Sequence, residues 1–202
     1  MAASTPLTAE TLVYAYASGV FPMAEETGEI LWYSPDPRAI IPIQSYQPAK
    51  SLRPFINQKR FEIRIDTSFE QVMRNCALPR PTENETWISE EMIAAYTELH
   101  RMGLAHSVEA WQDGKLVGGL YGVALGAAFF GESMFSFVSN SSKIAFHYLV
   151  QILREQNYQL LDSQMMNDNV LRYGAVDIPR SAYLRRLAKA LKSTCHFQKP
   201  TI

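Results

Sequence analysis

The dipeptide Asp113-Gly114 is the feature that most constrains how this chain folds. It joins two strand-like segments, 105–112 and 115–124, and a third strand-like segment follows at 127–134. An Asp-Gly pair between two strands is a strong signal for a two-residue hairpin, because both residues accept the backbone conformation that such a turn requires. The sequence therefore predicts a meander of three consecutive strands in the centre of the chain.

Helices and further strands are predicted on both sides of the meander. Capping residues, a capping-box pattern or an early proline indicate helix starts at Thr8, Thr67-Ser68-Phe69-Glu70, Ser89, Ser139 or Asn140, and Pro179. A short helix is also predicted over Asn167 to Tyr173. Apolar and charged residues alternate at Phe61, Ile63 and Ile65, and residues 159–164 form another strand-like run. Helices, a meander, a helix, a strand and further helices, in this order, predict an α+β domain with a mixed sheet.

A proline-containing segment, Trp32-Tyr33-Ser34-Pro35-Asp36-Pro37-Arg38, lies near the start of the chain. Proline cannot donate to a β-ladder, so we expect a rigid linker there rather than a central strand. We place a domain boundary in this segment, with a small N-terminal domain over residues 1–37 and the main domain over residues 38–202. A chain of 202 residues corresponds to one ordinary domain, or to one with a small annex.

The composition, with 47% hydrophobic and 19% charged residues, is typical of a globular protein. No apolar run approaches the ~18 residues that span a bilayer. Residues Met1 to Glu10 have neither the basic start nor the apolar stretch of a secretory signal. Cys76 and Cys195 are too few for a disulfide framework. We therefore expect a cytoplasmic protein without a membrane segment, and we expect it to be a monomer.

Charge is distributed unevenly along the chain, although the net charge is only −1. Residues 1–49 carry five acids and one base, whereas residues 50–64 carry five bases and one acid. Such a cluster is either a phosphate-binding footprint or a solvated surface. Its candidate phosphate-binding residues, which we call the basic block, are Lys50, Arg53, Lys59 and Arg60.

The segment Leu160-Leu161-Asp162-Ser163-Gln164 carries the strongest chemical signal. On a strand, residues i and i+2 face the same side, so Asp162 and Gln164 should project together. An acid beside an amide can hold and polarise an amine, although a buried Asp and Gln that satisfy backbone groups would give the same pattern. The largely apolar run from Gly126 to Phe135, which contains Glu132, supplies an apolar lining. The combination indicates transfer of a hydrophobic acyl group to an amine.

Several other chemistries lack their motifs in this sequence. Gly131-Glu132-Ser133-Met134-Phe135 lacks the second glycine of a nucleophile elbow, and the four histidines have no metal-ligand spacing. Neither a phosphate-loop lysine motif nor the pyrophosphate loop of acetyltransferases occurs. We therefore expect no metal, no cofactor and no use of acetyl-CoA.

Many short motifs follow one another in the order found in a known family. They extend from about Thr8 to Leu184 and comprise Gly19 to Met23, Trp32 to Arg38, Thr86 to Ile88, His106 to Glu109, Leu116 to Val123, Gly131 to Ser136, Asn140 to Lys143, Leu160 to Gln164, Gly174-Ala175, and Ile178 to Arg180. On these motifs the chain resembles the leucyl/phenylalanyl-tRNA–protein transferases. Two positions depart from the family pattern, because Ser163 stands at the usual Cys and Phe137 stands where members often have Arg.

The resemblance implies an acetyltransferase-like (GNAT) domain joined to a small N-terminal domain. It also implies that Leu, Phe or Met moves from aminoacyl-tRNA to an acceptor protein whose N-terminal residue is Lys or Arg, which marks that protein for N-end-rule degradation. The aminoacyl ester is already activated, so a neutral α-amine can attack it directly and no covalent enzyme intermediate is required.

The resemblance also implies roles for individual residues. Asp162 and Gln164 take the catalytic positions and orient the attacking amine, and Asn167 lies near the reacting groups. Glu132 recognises either the terminal adenosine of the tRNA or the cationic N-terminal residue. The basic block holds the phosphates of the tRNA body. The aminoacyl side chain enters a slot lined by Met23, Trp87, Leu120, Phe129 and Met134.

Two other interpretations remain open at this point. An N-acyltransferase that uses acyl-CoA would share the fold, but the missing pyrophosphate loop argues against it. A non-enzymatic RNA-binding module would explain the basic block, but it would leave the amine-positioning pair without a purpose.

Overall fold

The structure of the protein, a computed structural model, describes residues 7–25, 27, 29–79 and 86–198. Its strands are β1 (Phe21–Ala24), β2 (Ile30–Tyr33), β3 (Arg38–Ile40), β4 (Glu62–Ile65), β5 (Ala105–Gln112), β6 (Lys115–Leu125), β7 (Ala128–Ser136), β8 (Leu160–Gln164) and β9 (Val176–Ile178). Its helices are α1 (Ala9–Ala17), α2 (Arg53–Asn57), α3 (Phe69–Cys76), α4 (Glu90–Arg101), α5 (Ser141–Glu155), α6 (Asp168–Leu171) and α7 (Arg180–Ala190).

Seven strands form one mixed sheet in the order β4-β5-β6-β7-β8-β3-β9, and β1 pairs with β2 in a separate hairpin. Neighbouring strands are antiparallel except β7 and β8, which are parallel because α5 forms the crossover between them. The predicted meander is confirmed as β5, β6 and β7. Asp113 and Gly114 have φ angles of 51° and 71°, as the predicted hairpin turn requires. The α+β class with a mixed sheet is confirmed.

Helices cover both faces of this sheet. Helices α1, α3 and α4 contribute to the core on one face, and α5 packs on the other. In the described part of the chain, no helix combines the length and the apolar character that crossing a bilayer requires.

The predicted caps of two helices are confirmed by hydrogen bonds. The Oγ1 of Thr8 accepts from the backbone N of Thr11, and the Oγ of Ser89 accepts from the backbone N of Met92, each at 3.2 Å. The short helix predicted from Asn167 is present as α6, and the Asn167 side chain caps it, although no cap was predicted there. These side chains satisfy amide groups that have no partner within the first turn of a helix.

The capping box predicted at Thr67-Ser68-Phe69-Glu70 is wrong. The side chain of Ser68 makes no capping hydrogen bond to α3, and Glu70 pairs with Arg74 at 2.8 Å. The backbone amides of Thr67 and Ser68 donate instead to Oε1 of Glu109 on β5, at 2.9 and 2.8 Å. The hydroxyl of Thr67 donates to Oε2 of the same residue. A fully buried carboxylate from a neighbouring strand therefore anchors the start of α3.

The segment 32–38 does more than link two parts of the chain. Its prolines lie outside the strands, as predicted, but Arg38 begins β3, which lies inside the sheet between β8 and β9. Leu12 and Tyr16 of α1 and Phe21 of β1 are buried in the same core cluster as residues of the main sheet. The proposed boundary after residue 37 stays a prediction.

The sheet opens between β7 and β8. The two strands pair only where Ala128 to Phe130 face Leu160 to Asp162, although β7 continues to Ser136. The open end of this parallel pair leaves room for side chains from both strands to line a cavity.

A β-bulge lies on β7 at this opening. Gly122 of β6 is opposite Gly131, whereas Tyr121 is opposite Ser133, so Glu132 is the extra residue of the bulged strand. A bulge bends its strand and re-aims the side chain that it carries. The backbone therefore directs Glu132 differently from a residue of a regular strand.

We expect Glu109→Ala to destabilise the protein strongly. Two backbone amides and the side chains of Thr67, Ser107 and Trp111 would lose the carboxylate that accepts from them. Buried donors without a partner cost about 1–3 kcal/mol each. Four of these five hydrogen bonds are only partly buried, so we expect a total loss near the lower end, about 5 kcal/mol, and a melting temperature lower by about 10–20 °C. The change in melting temperature is measured by thermal unfolding monitored by circular dichroism.

The matched control is Glu98→Ala, which breaks an exposed ion pair with Arg101 (3.0 Å). Such pairs contribute about 0–1 kcal/mol. Equal melting temperatures for the two variants would contradict the anchoring role of Glu109.

Candidate active site

A cavity of about 250 Å³ lies in the opening between β7 and β8. Its apolar lining includes Met23, Ile41, Trp87, Leu120, Met134, Phe146, Leu149 and Leu161. Its polar lining includes Glu132, Asp162, Ser163, Gln164, Asn167 and Asn169. An apolar cavity with a few convergent polar groups is the usual form of a small-molecule site. Among the described residues, no three His, Cys, Asp or Glu side chains are arranged to hold a metal ion.

The structure brings all but one of the predicted catalytic and substrate-binding residues to this cavity. The exception is Phe129, which is fully buried and does not line it. Its ring lies over Gly122, where an added Cβ would come within 2.5 Å of Cε1, and it stacks on Phe197 at a centroid distance of 5.4 Å. Phe129 occupies the part of β7 that still pairs with β8, so its side chain packs in the core beside the opening.

Asp162 belongs to a buried ion pair with Arg38. Arg38 is 1% exposed and Asp162 is 0% exposed, and Nε and Nη2 of Arg38 donate to Oδ1 and Oδ2 of Asp162 at 3.0 and 2.7 Å. The hydroxyl of Tyr183 also donates to Oδ2, at 2.7 Å, and the backbone N of Gln164 donates to Oδ1, at 2.8 Å. Each oxygen of Asp162 therefore accepts two hydrogen bonds, which leaves it little capacity to bind an incoming amine.

Gln164 ends β8 with a φ of 66°, so the regular alternation of the strand breaks at this residue. Its side-chain Nε2 donates to Oε1 of Glu132 at 2.9 Å. The expectation that Asp162 and Gln164 project together is therefore only partly met. Both line one cavity, but the carboxylate of Asp162 binds Arg38 and the amide of Gln164 binds Glu132. The donation through Nε2 leaves Oε1 of Gln164 to accept from a substrate.

Glu132 is the second carboxyl group of the cavity, and its hydrogen-bond partners are neutral. Its Oε1 accepts from the hydroxyl of Tyr16 at 2.7 Å, and its Oε2 lies 3.4 Å from the hydroxyl of Tyr96. Burial raises the pKa of Glu132 to about 8, against the opposing effect of the Tyr16 hydrogen bond and with a contribution from nearby Asp162. A carboxyl group with this pKa can exchange a proton near neutral pH.

Arg38, Tyr16, Tyr96 and Tyr183 are site residues that the sequence analysis did not identify. The available signal was Arg38, which is the one base among residues 1–49 and ends the motif Trp32 to Arg38. Tyr96 and Tyr183 lie on the buried faces of α4 and α7, so their spacing is that of ordinary core residues.

The basic block lies outside the cavity, on and around α2. All four of its side chains are exposed, and the guanidinium of Arg60 lies 5.2 Å from the ring centre of Phe55. Arg64, the fifth base of this region, pairs with Glu62 at 2.8 Å. The exposure of the block is compatible with phosphate contacts and equally with a solvated surface.

Residues 40–188 match the family model described as leucyl/phenylalanyl-tRNA protein transferase, and residues 5–36 match the model of the N-terminal domain of that family. Curated relatives bear the same description. The protein of Gloeobacter violaceus is 52% identical over 193 residues (95% of this chain and 98% of that protein). The protein of Chlorobaculum tepidum is 50% identical over 189 residues (93% and 97%), and that of Paramagnetospirillum magneticum is 50% identical over 196 residues (96% and 94%).

Among solved structures, that of L-PGS from Bacillus licheniformis overlaps with 79% of this chain and 51% of its own, with 12% identity and a TM-score of 0.42. This similarity is too distant to support an inference. The two family models and the half-identical relatives, which match over nearly the whole chain, show that the chain belongs to the leucyl/phenylalanyl-tRNA–protein transferase family of enzymes, as its motifs predicted.

Proposed function

We propose that this protein transfers Leu or Phe, and also Met, from aminoacyl-tRNA to the N-terminal Lys or Arg of acceptor proteins. The observation that carries the proposal is that one cavity combines an apolar lining with two carboxyl groups joined through Gln164. The apolar lining suits the aminoacyl side chain, and the carboxyl group of Glu132, which Gln164 holds in place, suits the amino group of the acceptor. The transfer would mark the acceptor for N-end-rule degradation.

The chemistry requires a neutral amine, a proton acceptor and a fixed geometry. The α-amine attacks the ester carbonyl, a C–N bond forms, and the bond from the carbonyl carbon to the 3′ oxygen of the tRNA breaks. The amine loses one proton, and the departing oxygen gains one. A free α-amino group has a pKa of about 7.7–8.0. Glu132, whose pKa is raised to about 8, can therefore take up the proton at little cost in free energy.

The remaining polar groups orient these partners. Gln164 donates to Glu132 through Nε2, which allows Oε1 to accept from the amine and to direct its lone pair at the ester. Asp162, with its two oxygens occupied by Arg38, Tyr183 and the backbone of Gln164, acts as a positioning residue in this scheme. Direct attack oriented by Asp162 and Gln164 thus remains our proposal, with the proton acceptor assigned to Glu132.

The experiment that tests the function is incubation of the protein with radiolabelled Leu-tRNA and peptides that differ only in their first residue. We expect label on the peptides that begin with Arg or Lys and none on a peptide that begins with Ala. An absence of transfer to the Arg peptide by folded protein would overturn the proposal. A parallel incubation with an acyl-CoA tests the N-acyltransferase interpretation.

We expect the pH profile to identify the proton acceptor. If the neutral amine and the Glu132 carboxylate are both required, log kcat/KM should rise with a slope of about 2 below pH 7 and level off above about pH 9. In Glu132→Gln the slope should fall to about 1, with kcat lowered about 10²–10⁴-fold. The comparison variant Asp162→Asn should be slower than wild type. It removes a charge that raises the pKa of Glu132 and leaves Arg38, which lowers that pKa, so its slope of 2 should appear only at lower pH. A slope of 1 in Asp162→Asn and of 2 in Glu132→Gln would reverse the assignment.

We expect charge reversal in the basic block to weaken binding of the tRNA body. The double variant Lys50→Glu/Arg53→Glu should raise the KM for Leu-tRNA and make that KM less dependent on salt. The reason is that it neutralises fewer phosphates, so binding releases fewer counterions. A donor that carries only 3′-leucyl-adenosine should be used as before. Lys115→Glu, at the exposed hairpin, is the matched control. Equal impairment with both donors would show that the block does not bind the tRNA body.

We expect the cavity to select donors by the shape of the side chain at Cβ. Met23, Trp87, Leu120 and Met134 form a deformable apolar slot, because thioethers adapt their shape. Ile and Val carry a second heavy atom on Cβ, and overpacking costs roughly 1–3 kcal/mol, or about 5- to 150-fold in rate.

Leu and Phe should therefore exceed Ile and Val in kcat/KM, and Met should be detectable. Met134→Ala should lower the use of Leu and relax the discrimination against Ile. Equal kcat/KM for Ile and Leu in the wild type would mean that Met23, Trp87, Leu120 and Met134 belong to the protein core and do not contact the aminoacyl side chain.

A further inference from the structure

A second cavity, of about 690 Å³, lies beside the first. Both cavities are lined by Met134, Asn169 and Tyr173, so they meet at a common wall. The second cavity is also lined by Ala49, Ser51 and Leu52, which are the immediate sequence neighbours of the basic-block residues Lys50 and Arg53. This cavity, which we call the Phe137 groove, thus adjoins both the candidate active site and the basic block.

Among the residues that the structure describes, the charged residues lining the Phe137 groove are basic. Lys143 and Arg172 are exposed in its lining, and among the described lining residues there is no Asp or Glu. The remaining polar groups are hydroxyls and amides, such as that of Asn169. This lining favours an anionic ligand, and it disfavours an acceptor protein whose first residue is Lys or Arg.

Phe137 gives the groove an aromatic surface that the fold does not require. Its side chain is 58% exposed, and its ring lies 5.0 Å from that of Phe135 at an interplanar angle of 57°. A large exposed aromatic ring beside basic side chains is the combination that binds single-stranded nucleic acid, because bases stack on the ring and phosphates pair with the cations. Lys143 and Arg172 supply those cations within the same groove.

We propose that the Phe137 groove binds the single-stranded 3′ end of the donor tRNA, immediately before its terminal nucleotide. One base stacks on Phe137, and the adjoining phosphates pair with Lys143 and Arg172. The proposal rests on the proposed function, since the ester in the first cavity fixes where the preceding nucleotides must leave. The nucleotides that precede the terminal adenosine then leave the first cavity past the residues that the two cavities share, Met134, Asn169 and Tyr173. From there the groove leads to the basic block, which contacts the tRNA body in this proposal.

The test compares two minimal donors, 3′-leucyl-adenosine and a 3′-leucyl-CCA trinucleotide. Wild type should use the trinucleotide with the higher kcat/KM. Phe137→Ala should lower kcat/KM for the trinucleotide about 5- to 150-fold, which corresponds to the loss of one base–aromatic stack. It should leave the value for leucyl-adenosine unchanged. Phe137→Leu should behave like Phe137→Ala because it lacks an aromatic face, and Phe137→Trp should retain the wild-type value.

Two further variants separate stacking from charge and from general damage. Lys143→Gln should reduce the slope of log KM against log salt by about 0.7 for the trinucleotide, as expected for one phosphate contact of a single strand. Tyr14→Ala removes another exposed aromatic ring (77% exposed), which lines neither cavity. This variant should leave kcat/KM unchanged for both minimal donors.

The outcomes are distinguishable. If Phe137→Ala affects both donors equally, or neither of them, while wild type uses both, the groove does not bind the 3′ strand and the inference is overturned. If wild type transfers Leu from neither minimal donor nor from Leu-tRNA, the proposed function itself is overturned.

Discussion

The buried ion pair of Arg38 and Asp162 is the interaction on which the rest of the site depends. It joins β3 to β8, and Arg38 also donates to the carbonyl of Gly19, next to α1, at 3.2 Å. Tyr183 of α7 completes the set, so segments from both ends of the chain converge on one carboxylate. A buried charge that loses its partner costs about 3–5 kcal/mol. The pair is therefore favourable only when these segments are assembled, which couples formation of the site to packing of the N-terminal segment.

The two carboxyl groups of the cavity differ because only one has a cation. Asp162 faces the guanidinium of Arg38, whereas Glu132 is held by neutral hydroxyl and amide donors. Neutral hydrogen bonds do not offset the full cost of removing a charge from water, so Glu132 retains its proton to a higher pH. The bulge on β7 and the left-handed backbone of Gln164 bring these groups together. Local irregularities of two strands thus create the acid–base character of the site.

The sequence predicted those features that depend on local or periodic signals. The hairpin at Asp113-Gly114 and the caps at Thr8 and Ser89 belong to this class, whereas most of the cavity lining was implied by the resemblance to the transferase family. The remaining features depend on contacts between distant residues or on single backbone angles. Glu109, on a separate strand, accepts hydrogen bonds at the start of α3 in place of the expected capping box. The cation that pairs with Asp162 belongs to Arg38, 124 positions earlier in the chain. Phe129 packs in the core because β7 and β8 are still paired at its position and separate only after Phe130. The hydrophobic periodicity of the sequence does not show where two strands separate.

In the proposed function, the distribution of charge separates the two substrates. The exposed cations of the basic block, with Lys143 and Arg172, lie outside the first cavity, where they attract the polyanionic donor. Inside the cavity, Asp162 and Arg38 neutralise each other, so the net charge depends on whether Glu132 has lost its proton. An approaching ammonium group favours the ionised form of Glu132, because an opposite charge stabilises the charged state. The cationic acceptor thereby stabilises the carboxylate that is to receive the proton of its amine.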